Sequence, residues 1–191
     1  MEHKVIGVAG VARVGKDTFC LYLEQILKSH GVLVERVAFA DSLKSDLKSF
    51  LLAKTGVSPY TIDETDKSLI RPLLVEYGRL MRKLTKGEYW IDQIKKRVEK
   101  NIKNNTISIV TDVRYANEAN WINSLDYGLT VYLQRDGIYP ANEEERINDP
   151  ETQKSCSYFL RWNTYESADS IKSQTLKYLN GLGILKDPIR L

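Results

Sequence analysis

A glycine-rich turn, Gly10-Val11-Ala12-Arg13-Val14-Gly15-Lys16-Asp17-Thr18, stands between a short apolar run, Val5-Ile6-Gly7-Val8-Ala9, and a segment with helical periodicity. Strand, tight turn and helix in that order form one supersecondary unit, and no other stretch restricts the chain as much. The glycines let the backbone curl until successive N–H groups point inward. The helix then aims its positive dipole end at the same point, and Lys16 adds a mobile cation. Gly10, Arg13, Val14, Gly15, Lys16, Asp17 and Thr18 are therefore expected to cradle phosphate groups. The spacing G-x-x-x-x-G-K carries one departure: Asp17 stands where a hydroxyl residue usually follows the lysine, and Thr18 comes one place later. A hydroxyl there ordinarily ligates Mg²⁺, so Asp17 is expected to hold the ion, directly or through water, while Thr18 bonds a phosphate oxygen.

Apolar, β-branched runs recur at Val5–Ala9, Val32–Ala40, Ile107–Thr111 and Leu129–Leu133, with a weaker one at Tyr158–Trp162. Stretches with helical spacing separate most of them: Thr18–Ser29, Ser42–Ala53, Ser68–Leu84 and Ala168–Leu179. That alternation predicts an α/β fold with a parallel sheet, whose ligands collect at the carboxyl ends of the strands. Gly31 and Gly181 are expected to end the first and last helices. The run Lys95–Lys100 reads as the wet side of a packed helix, because Trp90, Ile91, Ile94, Val98 and Ile102 recur at helical spacing beside it. From Arg135 to Ser157 the pattern dissolves into polar residues, with Pro140 and Pro150 set against any long helix. A weakly ordered stretch of that length predicts a lid.

The 191 residues suit one domain, residues 1–191, with the lid near 136–157. A net charge of +3 is too mild to imply nucleic acid or an anionic membrane as the main partner. Cys20 and Cys156 lie far apart without ligand-spaced neighbours, so buried thiols are expected rather than a disulfide or a zinc site. No charged leader and no apolar run of roughly 18 residues is present, which predicts a protein of a reducing cytoplasm with no membrane partner.

A second cluster follows the third apolar run: Thr111-Asp112-Val113-Arg114-Tyr115-Ala116-Asn117-Glu118. A carboxylate at the tip of a strand can orient Mg²⁺ or its waters, and a guanidinium two residues on can grip phosphate with paired donors. Two other roles stay open: Asp112 as the cap of the next helix, and Arg114 in a surface ion pair. Arg71, Arg79 and Arg82 lie around a predicted helix and could hold an acceptor phosphate or simply be solvated.

The loop, Phe39-Ala40-Asp41-Ser42-Leu43-Lys44, Arg71 through Gly78, Tyr89-Trp90 and Asp112 through Glu118 occur in an order that resembles the bacteriophage-type deoxynucleoside monophosphate kinases. Animal-type phosphomevalonate kinases share the G-K-D loop and a similar Asp-x-Arg segment. The resemblance spans most of the chain. It implies a P-loop nucleoside monophosphate kinase-like three-layer fold, a five-stranded parallel sheet with helices on both faces and a short lid. It also implies transfer of the ATP γ-phosphoryl group to a (deoxy)nucleoside 5′-monophosphate, with Mg²⁺, in the cytoplasm, the host's if the protein is phage-encoded. By the same resemblance Lys16, Arg114, Asp112 and Arg135 would be catalytic, with Asp17 and Asp112 at the metal. Lys44, Arg71, Asp112 and, with them, Arg82 and Arg114 would face the acceptor. Arg135 and Arg146 would close from the lid side, and Asn163 would lie near the adenine.

Two other acceptors or roles remain at this stage: phosphomevalonate or another small phosphorylated metabolite, and a nucleotide-dependent switch or nucleic-acid-associated ATPase. For the last, the chain offers neither an Asn-Lys-x-Asp signature nor an aromatic-interleaved basic stripe. Small-molecule nucleotides are the expected partners, with no stable nucleic acid, and a homodimer is left open.

Overall fold

The computed structural model describes residues 3–162 and 167–184, and of Trp162 the backbone alone. Five strands, β1 (Val5–Ala9), β2 (Val34–Val37), β3 (Ile107–Val113), β4 (Gly128–Arg135) and β5 (Tyr158–Trp162), form one sheet in the order β2-β3-β1-β4-β5. Every neighbouring pair is parallel. The helices are α1 (Lys16–Ser29), α2 (Phe39–Thr55), α3 (Glu64–Thr85), α4 (Glu88–Lys103), α5 (Ala116–Asn123), α6 (Glu143–Ser155) and α7 (Ala168–Gly181). The chain divides into two compact units, Met1–Val37 with Arg97–Leu191, and Ala38–Lys96.

In the first unit β1 runs through the centre of the sheet with all five residues buried, as a strand covered on both faces must be. Ile6 and Val8 turn to one face, where Leu23 and Leu27 of α1, Leu133 of β4 and Leu179 of α7 complete a continuous core. Gly7 alternates with them and turns to the other face, where a Cβ at its position would come within 2.6 Å of Ile122 on α5. Helices therefore cover both faces, as the alternation predicts. Gly31, at φ +72°, follows α1 and donates its N–H to Lys28 O at 3.0 Å. The basic run on α4 does serve as a wet face: Arg97 donates to Glu35 on β2 at 2.9 and 2.7 Å, while Val98 is buried. The Arg97 hydrogen bonds hold the Glu35 carboxyl below the usual range.

The second unit comprises α2, α3 and the start of α4. Trp90 is buried and meets Tyr77 and Tyr89 edge-on, with ring centroids 5.9 and 4.8 Å away. Both tyrosine hydroxyls donate to Asp46 Oδ2, at 3.0 and 2.9 Å.

Three expectations need correction. The apolar run Val32–Ala40 is not one strand: β2 ends at Val37, where its pairing with β3 stops, and α2 begins at Phe39. The stretch 135–157 is not weakly ordered throughout, because α6 fills 143–155 with Pro150 inside it. Asn142 starts that helix by accepting the Glu145 N–H at 2.9 Å, and the Asn148 side chain donates to Glu144 O at 2.7 Å. Proline removes its own N–H, so the Arg146 carbonyl lacks its intrahelical donor, while the Asn142 cap satisfies an N–H of the first turn. Cys156 is half-buried rather than buried, whereas Cys20 is buried; both are free. Desolvation pushes the Cys20 thiol up to about 12 and the Cys156 thiol to about 11, so neither is a ready nucleophile. Among the described residues no helix is long and apolar enough to cross a membrane.

Candidate functional site

Gly10 leaves β1 at φ +135°, and a Cβ there would meet Leu133 O at 2.6 Å. Gly15 enters α1 at φ +103°. Both angles lie where an L side chain is strained, which accounts for glycine at the two fixed positions of the loop. Arg13 between them adopts φ +64°, with its side chain exposed. Val14 sends its side chain into the core while its N–H donates to Val11 O at 3.4 Å. Gly15 is the N-cap of α1, and no side chain caps that terminus, so the helix offers its first turn to an outside anion.

Lys16 opens α1 and folds back over the loop, with Nζ donating to Gly10 O at 2.7 Å and Val11 O at 2.8 Å. Burial, and then the neighbouring Arg114 guanidinium, hold its ammonium below the usual lysine range, while Glu145, Asp17 and Asp112 oppose the shift. Those five side chains form the charged neighbourhood of the loop. Asp17 is 97% exposed and lies 3.7 Å from the Arg36 guanidinium. Thr18 is half-buried.

Asp112 and Arg114 stand at the carboxyl end of β3. The register with β1 shifts between Gly7 and Ala9, so that Val110 to Val113 spans one residue more than its partner segment. A bulge at a strand end re-aims side chains, and here it falls on Thr111 and Asp112. Asp112 is not the cap of α5: Tyr115 is its N-cap, and Glu118 Oε2 accepts the N–H groups of Arg114 at 2.8 Å and Tyr115 at 3.2 Å. The Arg114 side chain is 56% exposed and comes within 3.7 Å of Glu145.

Glu145 is the residue against the loop that the sequence did not announce. Its carboxylate accepts the Ala12 N–H, at 3.2 Å to one oxygen and 3.3 Å to the other, and the Ala141 N–H at 2.9 Å. It is only 14% exposed. An anionic group from α6 thus sits against the loop that the glycines shape for anions. One helical turn on, Asp149 accepts the Tyr132 hydroxyl at 2.7 Å to each oxygen, and one more turn on Thr152 donates to Arg114 O at 3.0 Å. Burial raises the Asp149 carboxyl, which the Tyr132 bond partly offsets, and burial likewise raises the Tyr132 phenol. Gly10, Val11, Arg114, Glu145, Asp149 and Thr152 together line a small recess. The signal available was the cap Asn142 followed by an acidic turn and polar groups at 145, 149 and 152, one face of a helix. Tyr132→Phe strips Asp149 of its hydroxyl partner, so stability is expected to fall by about 1–2 kcal/mol; urea unfolding that gives the same midpoint and slope as the parent would refute this.

Of the other expected site residues, Arg135 ends β4 and is half-buried. Arg146 does not turn to the loop: it is 67% exposed and pairs with Glu143 one turn back on α6. Lys44, Arg71 and Arg82 belong to the second unit, Lys44 on α2 with Nζ 5.6 Å from the Tyr60 ring centre, Arg71 and Arg82 on α3. Arg79 of the same helix pairs with Glu76 at 2.8 Å. Asn163 lies outside the described residues.

No family model matches the chain, and no curated protein does. Solved structures do. A dephospho-CoA kinase from Campylobacter jejuni is similar over 95% of this chain and 98% of its own, with 13% identity and a TM-score of 0.50. TT1252 from Thermus thermophilus is similar over 94% of this chain and 97% of its own, at 14% identity and a TM-score of 0.49. A shikimate kinase from Aquifex aeolicus vf5 is similar over 94% and 98%, at 16% identity and a TM-score of 0.44. At such identities the likeness is one of fold. With the five parallel strands and the helices on both faces, the fold is the α/β P-loop nucleoside monophosphate kinase-like one.

Proposed function

We propose that the protein transfers the γ-phosphoryl group of ATP to the 5′-phosphate of a (deoxy)nucleoside monophosphate, giving ADP and a diphosphate. The observation that carries this reading is the loop itself: glycines at φ +135° and +103°, the uncapped start of α1, and Lys16 laid over Gly10 and Val11. The choice of acceptor rests on the sequence resemblance described above.

In this mechanism the loop N–H groups and Lys16 bind the β- and γ-phosphates, and Arg114 faces the charge that spreads over the moving phosphoryl oxygens. An oxygen of the acceptor phosphate forms the new bond to phosphorus while the bond to the β–γ bridging oxygen breaks, and ADP leaves with that electron pair. The acceptor is already an anion, so no side chain has to remove a proton, and positioning carries the catalysis. Asp17 and Asp112 fit a magnesium ion by donor chemistry, since Mg²⁺ bound with nucleotides takes one or two carboxylates beside phosphate oxygens and water. The ion would supply neutralisation of phosphate charge when bound. Arg135, Lys44, Arg71 and Arg82 are proposed to serve the acceptor and the transferred group, and Asn163 the adenine.

The test is an ATP-coupled screen of ribo- and deoxynucleoside monophosphates, with phosphomevalonate and dephospho-coenzyme A alongside. ADP release that depends on a nucleoside monophosphate is the expected result. Turnover with one of the other two acceptors alone, or hydrolysis stimulated by DNA or RNA, would replace this reading.

The depressed Lys16 adds a pH prediction. The ammonium must be charged to hold phosphate, and its pKa in the free protein lies below the ordinary lysine value. On the alkaline side kcat/KM is therefore expected to fall before ordinary lysines titrate, as Lys16 loses its proton. Lys16→Arg should flatten that limb, because guanidinium stays charged. A parent profile level through the lysine range would remove Lys16 from phosphate binding.

A further inference from the structure

The Arg114 side chain is exposed and its ion pair with Glu145 is long, 3.7 Å, so that contact does little to fix its aim. Its main chain is held far more closely. Arg114 lies between β3 and α5, just past Val113, the last residue of β3 in register with β1. Backbone groups at such a junction need partners from outside the strand. Glu118 Oε2 accepts the Arg114 N–H at 2.8 Å, and the Thr152 hydroxyl of α6 donates to Arg114 O at 3.0 Å. The two peptide planes that meet at the Arg114 Cα are thus each tied, one to α5 and the other to α6.

Burial sets these two side chains apart from ordinary helix-end groups. Glu118 is the third residue of α5, a place from which glutamate commonly reaches back to the N-cap N–H. It does accept the Tyr115 N–H, at 3.2 Å, but its shorter bond goes one residue further back, to Arg114. It is also 2% exposed, and burying a carboxylate carries a cost that a surface cap avoids. Thr152 is 1% exposed. A helical threonine can place its hydroxyl on the carbonyl four residues back, as this one does on Asn148 O at 2.9 Å, so its reach to Arg114 is an addition that α6 itself does not need. Arg114 and Thr152 line the same recess as Gly10 and Val11 of the loop. We infer that Glu118 and Thr152 are positioning residues for Arg114: by fixing both of its peptide planes they fix the direction of its Cα–Cβ bond, so that the guanidinium sweeps a narrow cone beside the loop. The inference rests on the role proposed for Arg114 in phosphoryl transfer. A transferring group tolerates little misplacement, and a shift of about 1 Å in such a group can cost about 10²-fold in rate.

Double-mutant cycles on the full chain separate aiming from general support. With ATP and the acceptor found by the screen, Thr152→Val should lower kcat by about 10-fold and leave the KM for ATP within about twofold. Glu118→Gln, which puts a neutral acceptor in place of a charged one, should lower kcat by about threefold. Thr152→Ser keeps the donor and should recover most of the valine variant's loss. In an Arg114→Ala background neither Thr152→Val nor Glu118→Gln should lower kcat further, because the group they aim is gone. Urea unfolding identifies the variants that fold, and either one alone completes a cycle. Losses that multiply in full with that of Arg114→Ala mean general support of the fold, as does failure of both variants to fold. Unchanged kcat in both means no part in aiming. Each of these results overturns the inference and leaves Arg114 in the mechanism. Near-parental turnover by Arg114→Ala, or a parent without acceptor-dependent turnover of ATP, instead overturns the role proposed for Arg114 and this inference with it.

Discussion

Lys16→Ala lowers kcat with ATP by about 10³-fold or more while the fold persists, and Arg114→Ala produces a loss of the same order. The fold should survive both changes for reasons visible in the structure. Lys16 Nζ rests on two loop carbonyls rather than in the apolar core, and the Arg114 side chain is 56% exposed with one long contact to Glu145. The chemistry should not survive, because charge on the transferred oxygens is greatest in the transition state, where a fixed ammonium or guanidinium acts most strongly. Uniform loss of binding would raise KM and spare kcat; loss of transition-state stabilisation lowers kcat itself. Steady-state kinetics with the acceptor found by the screen, beside thermal melts of each variant, separate these outcomes. Near-parental turnover in either variant would remove that residue from the mechanism.

The parts of this site that were legible in the sequence are those whose signal is local. The loop could be read because its glycines, its lysine and the flanking periodicities lie within about two dozen residues; β1 stands where that reading put it, α1 begins two residues earlier at Lys16, and β3 runs two residues further, to Val113. The bulge that re-aims Asp112 was not legible, since it exists only in the register between β3 and β1. Helix α6 escaped notice because it buries polar rather than apolar groups: Thr152 is its buried side chain, and Glu145 and Asp149 turn to Ala12 and Tyr132 instead of to leucines. Apolar periodicity, the main signal for a helix, is absent from such an element, and Pro150 argued against it. The family resemblance implied Arg146 at the lid side, but a carboxylate one turn away, Glu143, engages it.

The contact between Glu145 and the loop leads to the second large effect: Glu145→Gln should tighten ATP binding by about 10-fold. An anion that accepts the Ala12 N–H and stands beside Arg114 occupies ground that a triphosphate needs, and the two negative charges repel. On the proposed function, nucleotide would bind only the fraction of molecules in which Glu145 had withdrawn, and the apparent Kd would be raised by the inverse of that fraction. If the engaged form leads by about ten to one, a free-energy gap of about 1.4 kcal/mol, the rise is about tenfold. Glutamine keeps the shape and one acceptor oxygen but carries no charge, so both the hold on the loop and the repulsion weaken. The Asn142 cap and the Tyr132–Asp149 bond do not involve this carboxylate and should keep α6 folded. Calorimetric titration with ATP and with ADP reads the effect directly, and the gain should be larger for ATP, which brings more negative charge to the loop. Equal or weaker binding by the variant would mean that the α6 carboxylate and the nucleotide share the loop, with Glu145 remaining against Ala12 while the phosphates occupy the N–H groups nearer to α1.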